Sequence, residues 1–148
     1  MADAGEKLSG STVIPAVRYR DAHAAIDWLV RVLGFTAKAV YDGPEGTVAH
    51  AELTLGAGMI MLGSASNTGV GAETRVHPDE IGGRSTHGIY LVVPDAGPVY
   101  ERAQAAGSPF IQELTEMSYG GRAFICKDPE GYVWSVGEYD PWAPQAGT

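Results

Sequence analysis

One pattern occurs twice in this chain. An aspartate followed by an alanine opens a run with apolar residues at helical spacing, a glycine stops that run, and a strand-like segment led by phenylalanine follows. The two copies are Asp21-Ala22 to Leu33-Gly34-Phe35 and Asp95-Ala96 to Ala106-Gly107 and Phe110. Aspartate caps a helix because its carboxylate accepts from the first unpaired backbone N–H groups, and glycine ends one because it enters the left-handed conformation without strain. A β-like run precedes each helix and three more follow it. The expected order is therefore β-α-β-β-β twice, most economically explained by internal duplication.

In the first copy, residues 11–18 form a β-like run in which Pro15 lacks a donor and suits an edge. The helix that follows carries Ala22, Ala25, Ile26, Leu29, Val30 and Leu33 as its apolar stripe, with Asp27 and Arg31 an i,i+4 pair on the other side. Trp28 and Val32 flank the stripe as surplus apolar area for a wider core or a subunit contact. Residues 35–41 read as a strand ending at the turn cluster Asp42-Gly-Pro-Glu-Gly46. Residues 47–55 alternate strictly, with Ala49, Ala51, Leu53 and Leu55 on one face and Val48, His50, Glu52 and Thr54 on the other. Gly56-Ala-Gly58 turns into Met59-Ile-Met-Leu62, whose methionines suit either a variable ligand surface or the core.

Residues 64–85 are rich in Gly, Ser and Thr and read as a linker between halves or a mobile flap. In the second copy, residues 86–93 form a strand with Ile89, Leu91 and Val93 towards the helix. His87 shares their parity, which leaves Gly88 on the opposite face unless a bulge intervenes. The helix capped by Asp95 carries Val99, Ala103 and Ala106, and residues 110–114 and 121–127 are strands. Asp128-Pro-Glu-Gly131 then has the chemistry of a tight hairpin, with proline fixing one dihedral and glycine free to take positive φ. Beyond it, Tyr132, Trp134 and Val136 share a bulky face, while Val133, Ser135 and Gly137 make a nearly bare one.

Composition narrows the function classes. With 148 residues and 45% hydrophobic content the chain is expected to be a single domain, and no apolar run is long enough to span a membrane. The first ten residues hold no apolar signal core, so a frayed terminus and a cytoplasmic location are expected. A net charge of −8 argues against nucleic acid and allows attraction of a cationic ligand, although solubility alone accounts for it. The lone Cys126 rules out an internal disulfide and reads as an inert buried thiol. No Ser/His/Asp nucleophile arrangement, phosphate loop or dinucleotide fingerprint is present.

Tyr19-Arg-Asp21, Leu33-Gly-Phe35, Ala51-Glu-Leu53 before Met59-Ile-Met-Leu62, and Asp128-Pro-Glu-Gly131 with Trp134 together resemble the vicinal oxygen chelate superfamily, the glyoxalase, bleomycin-resistance and dioxygenase proteins. The resemblance runs from about Thr12 to Trp142 and implies an α+β fold of two tandem βαβββ modules forming an open, incomplete β-barrel with helices outside. Module one is expected over about 12–63, the connecting loop over 64–85 and module two over 86–139. The resemblance places three ligand positions of metal-dependent members at Pro15, Glu52 and Ser135, of which only Glu52 is a good ligand, and a fourth at either His87 or Gly88. No metal and no cofactor are expected.

The resulting expectation is a metal-independent small-molecule binding protein of the glyoxalase/bleomycin-resistance type, holding an aromatic or cationic ligand in the barrel cavity. Its site residues would be Glu52, His50, Tyr90, Arg122, Ser135, Met59 and Met61. The alternative is a glyoxalase-like isomerase, lyase or epimerase with Glu52 or His50 as general base, burial raising the Glu52 pKa towards that use. Neither nucleic acid nor membrane is an expected partner. A homodimer is, on the resemblance and on Trp28, Val32 and the Asp140-Pro-Trp142 tail, and His23 and His77 are expected to be solvated.

Overall fold

A computed structural model describes residues 9–144, so most of the terminus expected to fray lies outside the described residues. The chain divides into two compact units that meet in sequence at Arg75 and Val76.

The first unit runs β1 (Ala16–Tyr19), α1 (Ala22–Trp28) continued by a wider π turn over Leu29–Leu33, β2 (Thr36–Asp42), β3 (Val48–Leu55), β4 (Gly58–Ser64) and α2 (Gly69–Thr74). Its sheet has the order β1-β4-β3-β2, with β1 parallel to β4 and the other pairs antiparallel. Asp21 caps α1 as expected, its Oδ1 accepting from Ala24 N at 3.0 Å, and Gly34 ends the helical run at φ 88°. Val17, Tyr19, Val48, Ala51, Leu53, Ile60 and Leu62 are buried, as are Ala22, Ala25, Trp28, Leu29, Val32 and Leu33 of the helical run. Each large apolar side chain so buried contributes about 1.5–3 kcal/mol.

Three local expectations are corrected. The first strand starts at Ala16, because the segment before it contains Pro15, which offers a carbonyl to Met61 N but has no N–H to give. Trp28 and Val32 belong to the core, at 6% and 2% exposure, while Val30 is exposed; Trp28, Leu29, Val32 and Leu33 keep the i,i+3,i+4 stripe through the π turn. They supply no surplus surface for a partner. In β3 the register slips between Tyr41 opposite His50 and Asp42 opposite Val48, so Val48 turns into the core and Ala49 out of it.

The second unit contains β5 (Ile89–Val92), α3 (Ala96–Ala105), β6 (Phe110–Glu116), β7 (Arg122–Lys127) and β8 (Val133–Gly137), with sheet order β5-β8-β7-β6 and β5 parallel to β8. Leu91, Val93, Val99, Ala103, Phe124, Cys126, Trp134 and Val136 are buried. Ala106 lies past the last helical turn and is exposed. Burial, then the nearby Asp128 carboxylate, push the Cys126 thiol up to about 12, in keeping with an inert thiol.

The Asp128-Pro-Glu-Gly hairpin is held by its own aspartate. Asp128 is 3% exposed; its Oδ1 accepts from Glu130 N at 2.9 Å and Tyr132 N at 3.1 Å, and its Oδ2 accepts from Trp134 Nε1 at 3.0 Å. Gly131 sits at φ 91°, and a β-carbon there would fall 3.3 Å from the Pro78 ring. The latter part of the expected connecting loop is thus fastened: a 3₁₀ turn covers Pro78–Ile81, His77 N donates to Glu80 Oε2 at 2.7 Å, and Lys127 Nζ donates to the Gly83 carbonyl at 2.8 Å. The His77 side chain is only 15% exposed, 3.5 Å from the Tyr132 hydroxyl, and so is not a solvated residue; His23, at 53%, is.

Both units therefore have one helix-covered sheet of four strands, and neither sheet closes into a barrel. The α+β class and the paired βαβββ order are as expected.

Candidate functional site

Glu52 projects from the middle of β3 on the face away from α1. Its cross-strand neighbours are Ala39 of β2 and Met61 of β4, and Met59 faces Thr54 one step along. His50, two residues earlier on the same strand, shares that face. Its Nε2 lies 3.0 Å from Glu52 Oε2, and Lys38 Nζ donates to Glu52 Oε1 at 3.4 Å. Lys38 reaches this point because a bulge between Ala37 and Ala39 drops it out of the pairing register. Tyr41 stands opposite His50, their rings stacked with centroids 6.1 Å apart and planes 22° apart. Met59 and Met61 are half-exposed beside this group.

The hydrogen bond from His50, then that from Lys38, hold the Glu52 carboxyl below the usual glutamate range. The expected rise from burial does not occur, since the side chain is 25% exposed and matched on both oxygens. Glu52 is therefore an ionised acceptor and a poor proton acceptor from a substrate. An ionised carboxylate has no proton to donate, so the hydrogen in the 3.0 Å contact sits on His50 Nε2. An imidazole that holds a single proton and donates it from Nε2 carries its lone pair on Nδ1, and here Nδ1 has no hydrogen-bond partner among the described residues.

The other expected site residues lie in the second unit. Tyr90 is 40% exposed and paired in register with Ser135, but its ring crosses Gly137, where a β-carbon would fall 2.5 Å from the hydroxyl. That hydroxyl donates to the Tyr139 carbonyl at 2.7 Å. The face beyond the hairpin is therefore covered at Gly137 and not bare there. Arg122 is engaged at the start of α3: its guanidinium donates to Asp95 at 2.9 Å and Glu138 at 3.4 Å. Glu138 itself accepts from Ala96 N at 2.8 Å and Arg122 N at 2.9 Å, and these two bonds hold its carboxyl low.

The donor set does not fit a divalent metal. Pro15 has no side-chain donor, Glu52 already has an ammonium and an imidazole on its oxygens, Ser135 is a neutral hydroxyl, and His87 and Gly88 lie exposed ahead of β5. Among the described residues no three His, Cys, Asp or Glu side chains gather to hold an ion.

Sequence reasoning brought out His50, Glu52, Met59 and Met61, which the structure brings together, but not Lys38 or Tyr41. The available signal for Tyr41 was the turn at 42–46, which pairs the strands on either side of it. Lys38 left none, since a bulge cancels its parity.

The family model for the Glyoxalase/Bleomycin resistance protein/Dioxygenase superfamily matches residues 12–136. Uncharacterized proteins of Mycobacterium bovis and Mycobacterium tuberculosis are each 30% identical over 118 residues, covering 80% of this chain and 76% and 68% of theirs. Among solved structures, TioX from Micromonospora sp. ML1 is similar at 27% identity and TM-score 0.66, covering 88% of this chain and 100% of its own. A glyoxalase I variant from Zea mays shares the fold at 17% identity and TM-score 0.64, covering 85% of this chain and 44% of its own.

Proposed function

This chain belongs to the glyoxalase/bleomycin resistance protein/dioxygenase superfamily, and from that premise we propose that it binds a small aromatic molecule, without a metal, on the sheet face of its first unit that carries His50 and Glu52. The observation that carries this reading is the state of Glu52. Glu52, the carboxylate among the family's metal positions, has Lys38 on one oxygen and His50 on the other, so neither a divalent cation nor a cationic ligand meets an unmatched carboxylate. What the face offers is the stacked Tyr41–His50 pair and two adaptable methionines, which favours a planar, polarisable ligand over a cationic one. The second reading, a metal-free isomerase, lyase or epimerase, draws support from the open lone pair of His50 and makes that histidine, with Glu52 orienting it, the general base.

Screening aromatic metabolites for a raised melting temperature, followed by calorimetry, tests the proposal. A binder should lose about tenfold in affinity with His50→Gln or Glu52→Gln, the scale of one or two net hydrogen bonds. Catalytic loss with unchanged affinity would select the enzyme reading instead. Elemental analysis should find no stoichiometric zinc, nickel or iron, and EDTA should leave the melting temperature unchanged, because a metal held only by the folded state would have stabilised it. Assembly as a homodimer remains part of the proposal on the family resemblance and on Trp142, which is 93% exposed; a monomer mass by light scattering would remove it.

A further inference from the structure

We propose that the first unit's site selects aromatic ligands that carry a hydrogen-bond donor, a phenol-type O–H or heteroaromatic N–H, and reads that donor with His50 Nδ1. The inference rests on the reading that this face binds an aromatic molecule, and it names the chemistry of the ligand.

The contacts of His50 fix which edge of its ring donates and which accepts. A free histidine exchanges its proton between two nitrogens, so its ring presents a donor or an acceptor as the ligand requires. Here the choice is made by Glu52, which lies on the same strand face two residues away and accepts from Nε2 at 3.0 Å. Lys38 on the other Glu52 oxygen favours the charged carboxylate and so reinforces its role as acceptor. The opposite edge of the ring is left as an acceptor with no partner among the described residues, on a side chain 39% exposed. Tyr41, stacked on the ring, sets the plane beside which an aromatic ligand lies. A ligand offering only an acceptor would put two lone pairs face to face, and a site built to pair a donor rejects the analogue that lacks one more strongly than size alone would.

Phenol and anisole, which differ by methylation of the donor oxygen, are the probes, read by calorimetry or by perturbation of histidine resonances. In the wild-type protein phenol should bind about fivefold tighter than anisole, the worth of one net hydrogen bond. His50→Phe keeps a ring for stacking and removes the acceptor, so the preference for phenol over anisole should vanish. Glu52→Gln, whose amide can pair with either tautomer, should reduce the preference while circular dichroism confirms an intact fold. Equal affinities in the wild type, or a preference that survives His50→Phe, would overturn the inference while leaving aromatic binding in place. If neither probe binds the wild type, the parent reading falls and this one with it.

Discussion

The two units solve the same construction problem with different side chains. Each has a glycine near the end of its last strand that lies under a side chain from its first: Gly63 under the Arg18 guanidinium, and Gly137 under the Tyr90 ring. Each also satisfies the first N–H of its middle strand from the end of the last. In the first unit Val48 N donates to Ser64 Oγ at 2.8 Å, and in the second Arg122 N donates to Glu138 Oε1 at 2.9 Å. The difference lies in where the remaining polar groups are used. In the second unit Asp128, Glu138, Arg122 and Tyr90 each bind backbone groups or bridge elements, so their polarity maintains the fold. In the first unit Lys38, His50 and Glu52 bind one another, engage no backbone group, and leave one imidazole nitrogen open. Polar side chains that hold no backbone group are the ones available for a ligand.

Breaking this contrast from the structural side should give the largest effects. Asp128→Ala removes the carboxylate that accepts from the buried Trp134 indole N–H and two hairpin N–H groups, and should cost about 3 kcal/mol or more in denaturant unfolding. A loss below 1 kcal/mol would show that the hairpin holds itself by its glycine and proline alone. Glu138→Ala removes the acceptor from both α3 and β7 and should cost about 1–2 kcal/mol, the scale of a lost helix cap.

The same carboxylate sets an acid dependence. Its folded pKa is depressed, so its stabilisation is present above the unfolded glutamate pKa of about 4.3 and is lost as pH falls through the lower folded value. Melting curves between neutrality and acid should therefore be flatter for Glu138→Gln than for the wild type. Glu52 is depressed in the same direction, but its partners are side chains alone, so no backbone N–H loses an acceptor and Glu52→Gln should leave the melting temperature almost unmoved. A large destabilisation by Glu52→Gln would make its cluster structural and erase the contrast between the units.

The fold was legible in the sequence because its punctuation is local. Asp21 and Asp95 cap their helices, Gly34 and Gly107 take the left-handed conformation after them, and the Asp-Pro-Glu-Gly turn encodes its hairpin within four residues. The site was legible only where strict alternation held. Period-two reasoning placed His50 and Glu52 on one face and left Met59 and Met61 open between ligand surface and core; it failed at Val48 and missed Lys38, both beside bulges that shift parity by one. It also could not foresee that Glu52 would be matched on both oxygens, because that depends on where a bulged lysine on the neighbouring strand comes to rest. Arg122 and Tyr90 stand among the expected ligand contacts, with a structural role open for Arg122, since composition does not tell a polar group that braces backbone from one that awaits a partner.

The most direct test of a site on the first unit uses the methionines. Met59 and Met61 border the His50–Glu52 group, whereas Met117 belongs to the second unit and accepts from Gln112 there. With methionine methyl groups labelled by carbon-13, phenol is titrated into the protein and the methyl resonances are followed. Saturable shifts of Met59 and Met61 with Met117 unmoved are the predicted result; shifts confined to Met117, or none at Met59 and Met61, would contradict the placement.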